Sequence, residues 1–154
     1  MTIQFHPLPR ATVAAIRDSR IDSYGNPVEH AICDGPGHPC RSCLTETAAG
    51  QPFLTLAHRP FKGQNAFTET GPIYLCESCA GTLPSAALPA ILSAPSHIVR
   101  GYSSDERIVY GTGQITPTAE ISAYAASLLA RDDIAFVDVR SASNNCFLCR
   151  IKPA

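Results

Sequence analysis

Three pairs of cysteines share one spacing, with two residues between the thiols: Cys40/Cys43 in PCRSCL, Cys76/Cys79 in LCESCAG and Cys146/Cys149 in NCFLCR. A CxxC segment turns tightly enough to aim both sulfurs at one ion. Two such knuckles supply the four soft ligands of a tetrahedral zinc site at ~2.3 Å. The 32 residues from 44 to 75 between the first two pairs exceed the ~15–20 of the common zinc ribbon. Ser42 and Ser78 stand inside the turns, Gly81 follows the second, and Gly37 with Pro39 leads into the first. The spacing therefore predicts a structural zinc held by Cys40, Cys43, Cys76 and Cys79. His38 or Cys33 could replace one of the thiolates, and iron is the other metal that suits such a set. Two other readings stand beside it. Four buried cysteines can act as small apolar groups, and a CxxC can be a redox dithiol. The dithiol needs a helix N-terminus after a strand, and Leu44-Thr45-Glu46 is a weak helix signal.

The third pair reads as packing. Cys146 to Ile151 follows the turn Ser141-Ala142-Ser143-Asn144-Asn145 and returns as a strand. Alternation on a strand puts Phe147, Cys149 and Ile151 on one face and Cys146, Leu148 and Arg150 on the other. The two thiols then share neither an ion nor a disulfide, and Cys149 fills the core.

Polar chemistry has a second candidate location. His58 and Arg59 end one predicted strand, Glu69 and Tyr74 flank the start of another, and Arg100 lies on a third. Together they would form a cleft for a small anionic ligand, since a guanidinium matches carboxylate or phosphate with two parallel hydrogen bonds. Glu69 is expected to pair with an arginine when no ligand is there. His58, Arg59 and Glu69 could alternatively form a small hydrolase or lyase site. The ordinary alternative for all five is a solvated surface loop, with the arginines held in structural ion pairs. No HExxH, P-loop, serine elbow or dinucleotide fingerprint occurs, and Gly111-Thr112-Gly113 lacks the third glycine.

The elements that must position these residues are short. Pro9 to Arg17 reads as a helix, Phe53–Ala57 and Ile73–Leu75 as strands, and Leu83 to Leu92 as a short helix disturbed by Pro89. Ile98–Tyr102 and Arg107–Gly111 read as a hairpin joined by Ser-Ser-Asp-Glu. Thr116 reads as an N-cap with Pro117 at the first helical position. Ile121, Tyr124, Ala125, Leu128 and Leu129 make one apolar stripe of a helix ending near Arg131. Ile134 to Arg140 is a strand by its β-branched content. The pattern predicts one α+β domain over residues 1–154, an antiparallel sheet packed with short helices. Its Cys-rich half spans about 20–82, and its strand-strand-helix-strand-strand half about 97–152.

Composition narrows the classes. In 154 residues, 45% are hydrophobic, which supports a core, and 16% are charged, below the usual ~25%. The net charge of −1 argues against a nucleic-acid footprint, and Arg41 is the only basic residue beside the knuckles. No run of ~18 apolar residues predicts a membrane span, and no leader precedes the first helix. Clustered thiols without such a leader suit a reducing, cytoplasmic setting.

PCRSCL, HRPF, ETGPIYL, RGY and AFVDVRSASNNCFLCRI, together with FHPLP at Phe5, resemble the bacterial domain-of-unknown-function family 1203 from Phe5 to Ile151. The resemblance implies no activity. It implies histidine in many members where Cys76 stands here, a swap of one good zinc ligand for another. It also implies a residue other than cysteine at the Cys149 position, in keeping with a packing role. The functional expectation is a small cytoplasmic zinc protein that binds a small anionic ligand or a protein partner. The alternative is an enzyme, either a thiol oxidoreductase using a CxxC or the hydrolase or lyase site above.

Overall fold

A computed structural model describes residues 1–154. The strands divide into two five-stranded sheets. The first is antiparallel throughout and is made of β1 (Ile3–His6), β10 (Phe147–Pro153), β9 (Phe136–Ser141), β7 (Ser96–Tyr102) and β8 (Gln114–Pro117), in that spatial order. The second contains β2 (Glu29–Ile32), β5 (Pro52–His58), β6 (Gly71–Cys76), β3 (Pro39–Cys40) and β4 (Thr45–Glu46), with only the β3–β6 pair parallel. The α+β class holds, and the single domain contains two sheets.

Each sheet buries one face under a helix. Val99, Val137, Val139, Cys149 and Ile151 of the first sheet pack against Ile121, Ala125, Leu128 and Leu129 of α2 (Ile121–Leu129). These helical positions recur at the 3.6-residue period, so the expected stripe is the buried stripe. Val13 and Ile16 of α1 (Arg10–Ser19) cover Leu54, Leu56, Ile73 and Leu75 of the second sheet. Leu44 joins the two halves. It belongs to the first core, and its carbonyl accepts the Ile91 N–H at 2.9 Å.

Four local expectations are corrected. Residues 83–92 form no helix, because Pro84 and Pro89 interrupt it. Ser85 instead bridges to Phe5, and Ile91 bonds to Leu44. β7 pairs with β9 and β8, not with residues 107–111, which meet it only at the Tyr102–Ile108 bridge. The buried Thr112 hydroxyl accepts the Gly101 N–H at 2.9 Å and donates to the Val109 carbonyl at 2.6 Å, which holds that segment as a turn. Thr116-Pro117 ends β8 instead of capping a helix. A 3-10 turn at Thr118–Glu120 intervenes, and the Thr118 hydroxyl donates to the Ala94 carbonyl.

The fourth correction concerns β10. Its register against β9 shifts between Phe147, opposite Arg140, and Cys149, opposite Val139. This bulge places Leu148, Cys149 and Ile151 together in the first core and sends Phe147 into the second. The simple alternation of faces therefore fails at one residue, because a bulge inserts one unpaired position. Cys146 and Cys149 are both free thiols.

Candidate metal centre and the polar layer between the sheets

Sequence-local turns build the centre. Cys40 ends β3, and the Leu44 N–H closes the first knuckle on the Cys40 carbonyl at 2.9 Å. Leu44 adopts a left-handed φ of 57° to do so, a conformation unusual for a branched side chain. The second knuckle leaves β6 at Cys76 and turns back at Gly81, φ 76°, where a Cβ would lie 2.9 Å from the Ser42 hydroxyl. The Thr82 N–H then bonds to the Ser42 carbonyl, which sets the two knuckles side by side.

The four sulfurs of Cys40, Cys43, Cys76 and Cys79 lie within 4.8 Å of one another and could hold a metal ion. Cys40 and Cys79 are 3.8 Å apart and Cys43 and Cys76 4.0 Å, with no disulfide among them. At ~2.3 Å from a central ion, a regular tetrahedron has edges of about 3.8 Å, so the spacing fits four-coordinate thiolate ligation. The Cys40 sulfur accepts the Ser42 N–H at 3.4 Å and the Cys76 N–H at 3.2 Å. A hydrogen bond from the Cys43 thiol, followed by these amides, pulls Cys40 down to about 4. Sharing that proton with Cys40, together with burial, pushes Cys43 upward. Burial pushes Cys76 up to about 11. Four adjacent thiols thus do not all ionise on their own, and a bound cation would have to displace their protons.

Cys33 and His38 stand outside this set. Their Sγ and Nδ1 are 3.6 Å apart. The Cys33 thiol also reaches the carbonyls of Gly35 and Thr47, and the His38 ring packs tilted against Phe53 with centroids 4.3 Å apart.

Arg17 was not anticipated from the sequence. From α1 its guanidinium donates to the Cys79 carbonyl at 3.0 Å, the Cys76 carbonyl at 2.7 Å and the Cys79 sulfur at 3.4 Å. Its position four residues after the buried Val13, on the border of an apolar stripe, was the available signal. Residues behind metal ligands commonly tune affinity by 10–100-fold. Arg17→Met is accordingly expected to weaken metal retention by about tenfold, read by competition with a chromophoric chelator.

Of the five residues read as an anion cleft, the structure pairs two directly. Glu69 sits between Arg100, at 3.4 Å, and Arg140, at 3.1 Å. Arg140 was not foreseen. Tyr74 lies elsewhere, its ring near Phe53, His38 and the Arg41 guanidinium. His58 is buried at the end of β5, and burial together with the charges of Arg150 and Arg59 lowers it to about 4. It is therefore neutral at physiological pH and a poor anion ligand there. A pH titration followed by histidine ring NMR is expected to show His58 uncharged until about pH 4. Its unfolded value is near 6.5, so the fold loses stability progressively as pH falls from about 6.5 to about 4.

The same layer holds the Asp138–Arg150 pair. Asp138 is fully buried on β9 and accepts Arg150 in a bidentate contact at 2.7 and 3.0 Å. Beside it, Arg41 is buried and reaches across the sheets to the Phe147 carbonyl at 2.7 Å, and burial lowers its guanidinium to about 10. No helix is long and apolar enough to cross a membrane.

No curated protein and no solved structure matches the chain. A family model does match, over residues 37–152, which takes in both knuckles and the Glu69 and Asp138 clusters but leaves out β1 and α1 with Arg17. The chain belongs to the family described as protein of unknown function (DUF1203).

Proposed function

We propose that the chain is a zinc-stapled binding module in which the ion is structural and a small anionic ligand is held between the sheets. The observation that carries this reading is the four-sulfur cluster, with edges of 3.8 and 4.0 Å. Four thiolates fill a tetrahedral zinc shell and leave no open position for substrate or water, as structural sites do. The staple joins segments that are far apart in sequence, and those segments carry Arg41, Tyr74 and the start of β6. The arginine-rich layer between the sheets supports an anion as the ligand class. All four thiols of the first two CxxC pairs converge on one point, and Cys149 is fully buried. That arrangement favours a staple over a dithiol exchanging with solvent.

Elemental analysis of reduced protein is expected to find about one equivalent of zinc, one ion per four-sulfur set. Less than half an equivalent, or iron in its place, would count against the reading. Ligand binding is checked by thermal shift over a panel of small anions. Any anion at 100 times its Kd should stabilise the fold by ~2.7 kcal/mol.

A further inference from the structure

We propose that the largest cavity between the two sheets is the binding site for a small organic acid, a monocarboxylate with an apolar body, whose carboxylate pairs with Arg41. This deepens the proposed function and rests on its anion-binding part. The cavity holds about 560 Å³ and is lined from both sheets by residues that include Arg41, Tyr74, Ile91, Pro95, Cys146 and Leu148. That volume lies within the ~300–1,000 Å³ usual for small-molecule sites.

Arg41 supplies the specificity. Two arginines are more than nine-tenths buried, Arg41 and Arg140. Arg140 meets the Glu69 carboxylate, whereas Arg41 takes part in no ion pair. Its Nε donates to the Phe147 carbonyl and its Nη1 to the Pro39 carbonyl, and Nη2 makes no hydrogen bond within the chain. A guanidinium keeps its charge, and a buried charge without a counter-ion is costly. A carboxylate in the cavity would give Arg41 the partner that the fold withholds.

The lining also limits the ligand's charge. Arg41 is its only arginine or lysine, and His97 is pulled down by burial and so is neutral at physiological pH. Glu46, fixed on the cavity wall by the Gly37 and His38 N–H groups, opposes a second negative charge. One negative charge on an apolar body fits this wall better than a phosphate dianion.

Cys146 provides the readout. It lines the cavity and is the one cysteine outside the four-sulfur set that is not buried. Zinc-loaded protein is alkylated with iodoacetamide in the presence of acetate, hexanoate, benzoate or 3-phenylpropionate, of the four matching amides, and of phenyl phosphate. With a Kd near 1 mM, at least one of the three larger acids at about 10 mM should slow Cys146 alkylation about tenfold. Its amide should bind about tenfold more weakly, the difference that one charge-assisted hydrogen bond makes, and so slow alkylation only about twofold. Arg41→Met should make acid and amide equal. Because that variant also loses one cross-sheet and one local hydrogen bond, Ala94→Trp serves as a second. It narrows the cavity mouth while Arg41 and the cysteines stay, and it should remove the shift of the Leu148 amide resonance that the acid induces. The proposal is overturned if no acid protects, if acids and amides protect equally, or if phenyl phosphate protects best. Zinc content and the thermal-shift panel are measured on the same samples. An anion that stabilises the protein without protecting Cys146 leaves the broader reading standing and rejects this site.

Discussion

Alkylation of the metal-loaded protein is expected to modify one cysteine, Cys146, and alkylation after chelation five. The four added sites are Cys40, Cys43, Cys76 and Cys79, whose sulfurs face one another across no more than 4.8 Å. Cys33 and Cys149 are buried by the two sheets and stay protected while those sheets persist. Structural zinc contributes an apparent ~10–16 kcal/mol in small peptides, so metal loss should loosen the two knuckles at the ends of β3 and β6. The first sheet keeps its own sixteen-residue core and should hold. Cys43→Ser should lower metal content in proportion and release the remaining three thiols to alkylation. Equal labelling of the four cysteines with and without chelator would falsify the staple.

Asp138→Asn is expected to destabilise the fold by ~3–5 kcal/mol, the usual result of breaking one side of a buried ion pair. The carboxylate is fully buried and binds Arg150 through both oxygens, and Arg150 lies 3.8 Å over the centre of the Phe136 ring. The amide cannot neutralise the guanidinium, which stays trapped between aromatic rings. For a chain of this length each kcal/mol moves the melting temperature by roughly 2–4 °C, so a drop of about 10 °C is expected. The double variant Asp138→Leu/Arg150→Met removes both charges and should recover part of that loss, because a paired ion and an apolar pair are often close in free energy. A single variant that melts within 2 °C of the parent, on the same ~2–4 °C scale, would show the pair to be dispensable.

Much of this molecule was readable from local pattern. The two knuckles carry their ligands within four residues each, so their spacing alone announces a metal set. The apolar stripe of α2 obeys the 3.6-residue period, and β5, β6, β7 and β9 announce themselves by β-branched and aromatic runs between breakers. The segment after the knuckles was harder. Pro84 and Pro89 weigh against a helix there, yet only Leu44 and Phe5, far away in sequence, supply the bonds that replace it.

Pairing partners were beyond such reading. The strands β1, β2, β3 and β4 run only two to four residues, too short for alternation to register; a longer strand offers β1, β2 and β3 a ladder, and β4 pairs only with the equally short β3. The choice of β8 over residues 107–111 as partner to β7 turned on the Thr112 hydroxyl, which claims the Gly101 amide and binds the intervening loop back on itself.

What the sequence by itself determined is the chemistry that needs neighbours only a turn apart: the four-thiol set, the helical stripe, the apolar runs and the absence of familiar catalytic motifs. What tertiary structure alone decided is which distant charges meet. Glu69 found Arg100 and Arg140, Asp138 found Arg150, and Arg41 was left without a carboxylate, because those distances depend on sheet order and on one bulge in β10. A single-residue shift turns a side chain from one face to the other, and no local pattern of residue types records where that shift occurs.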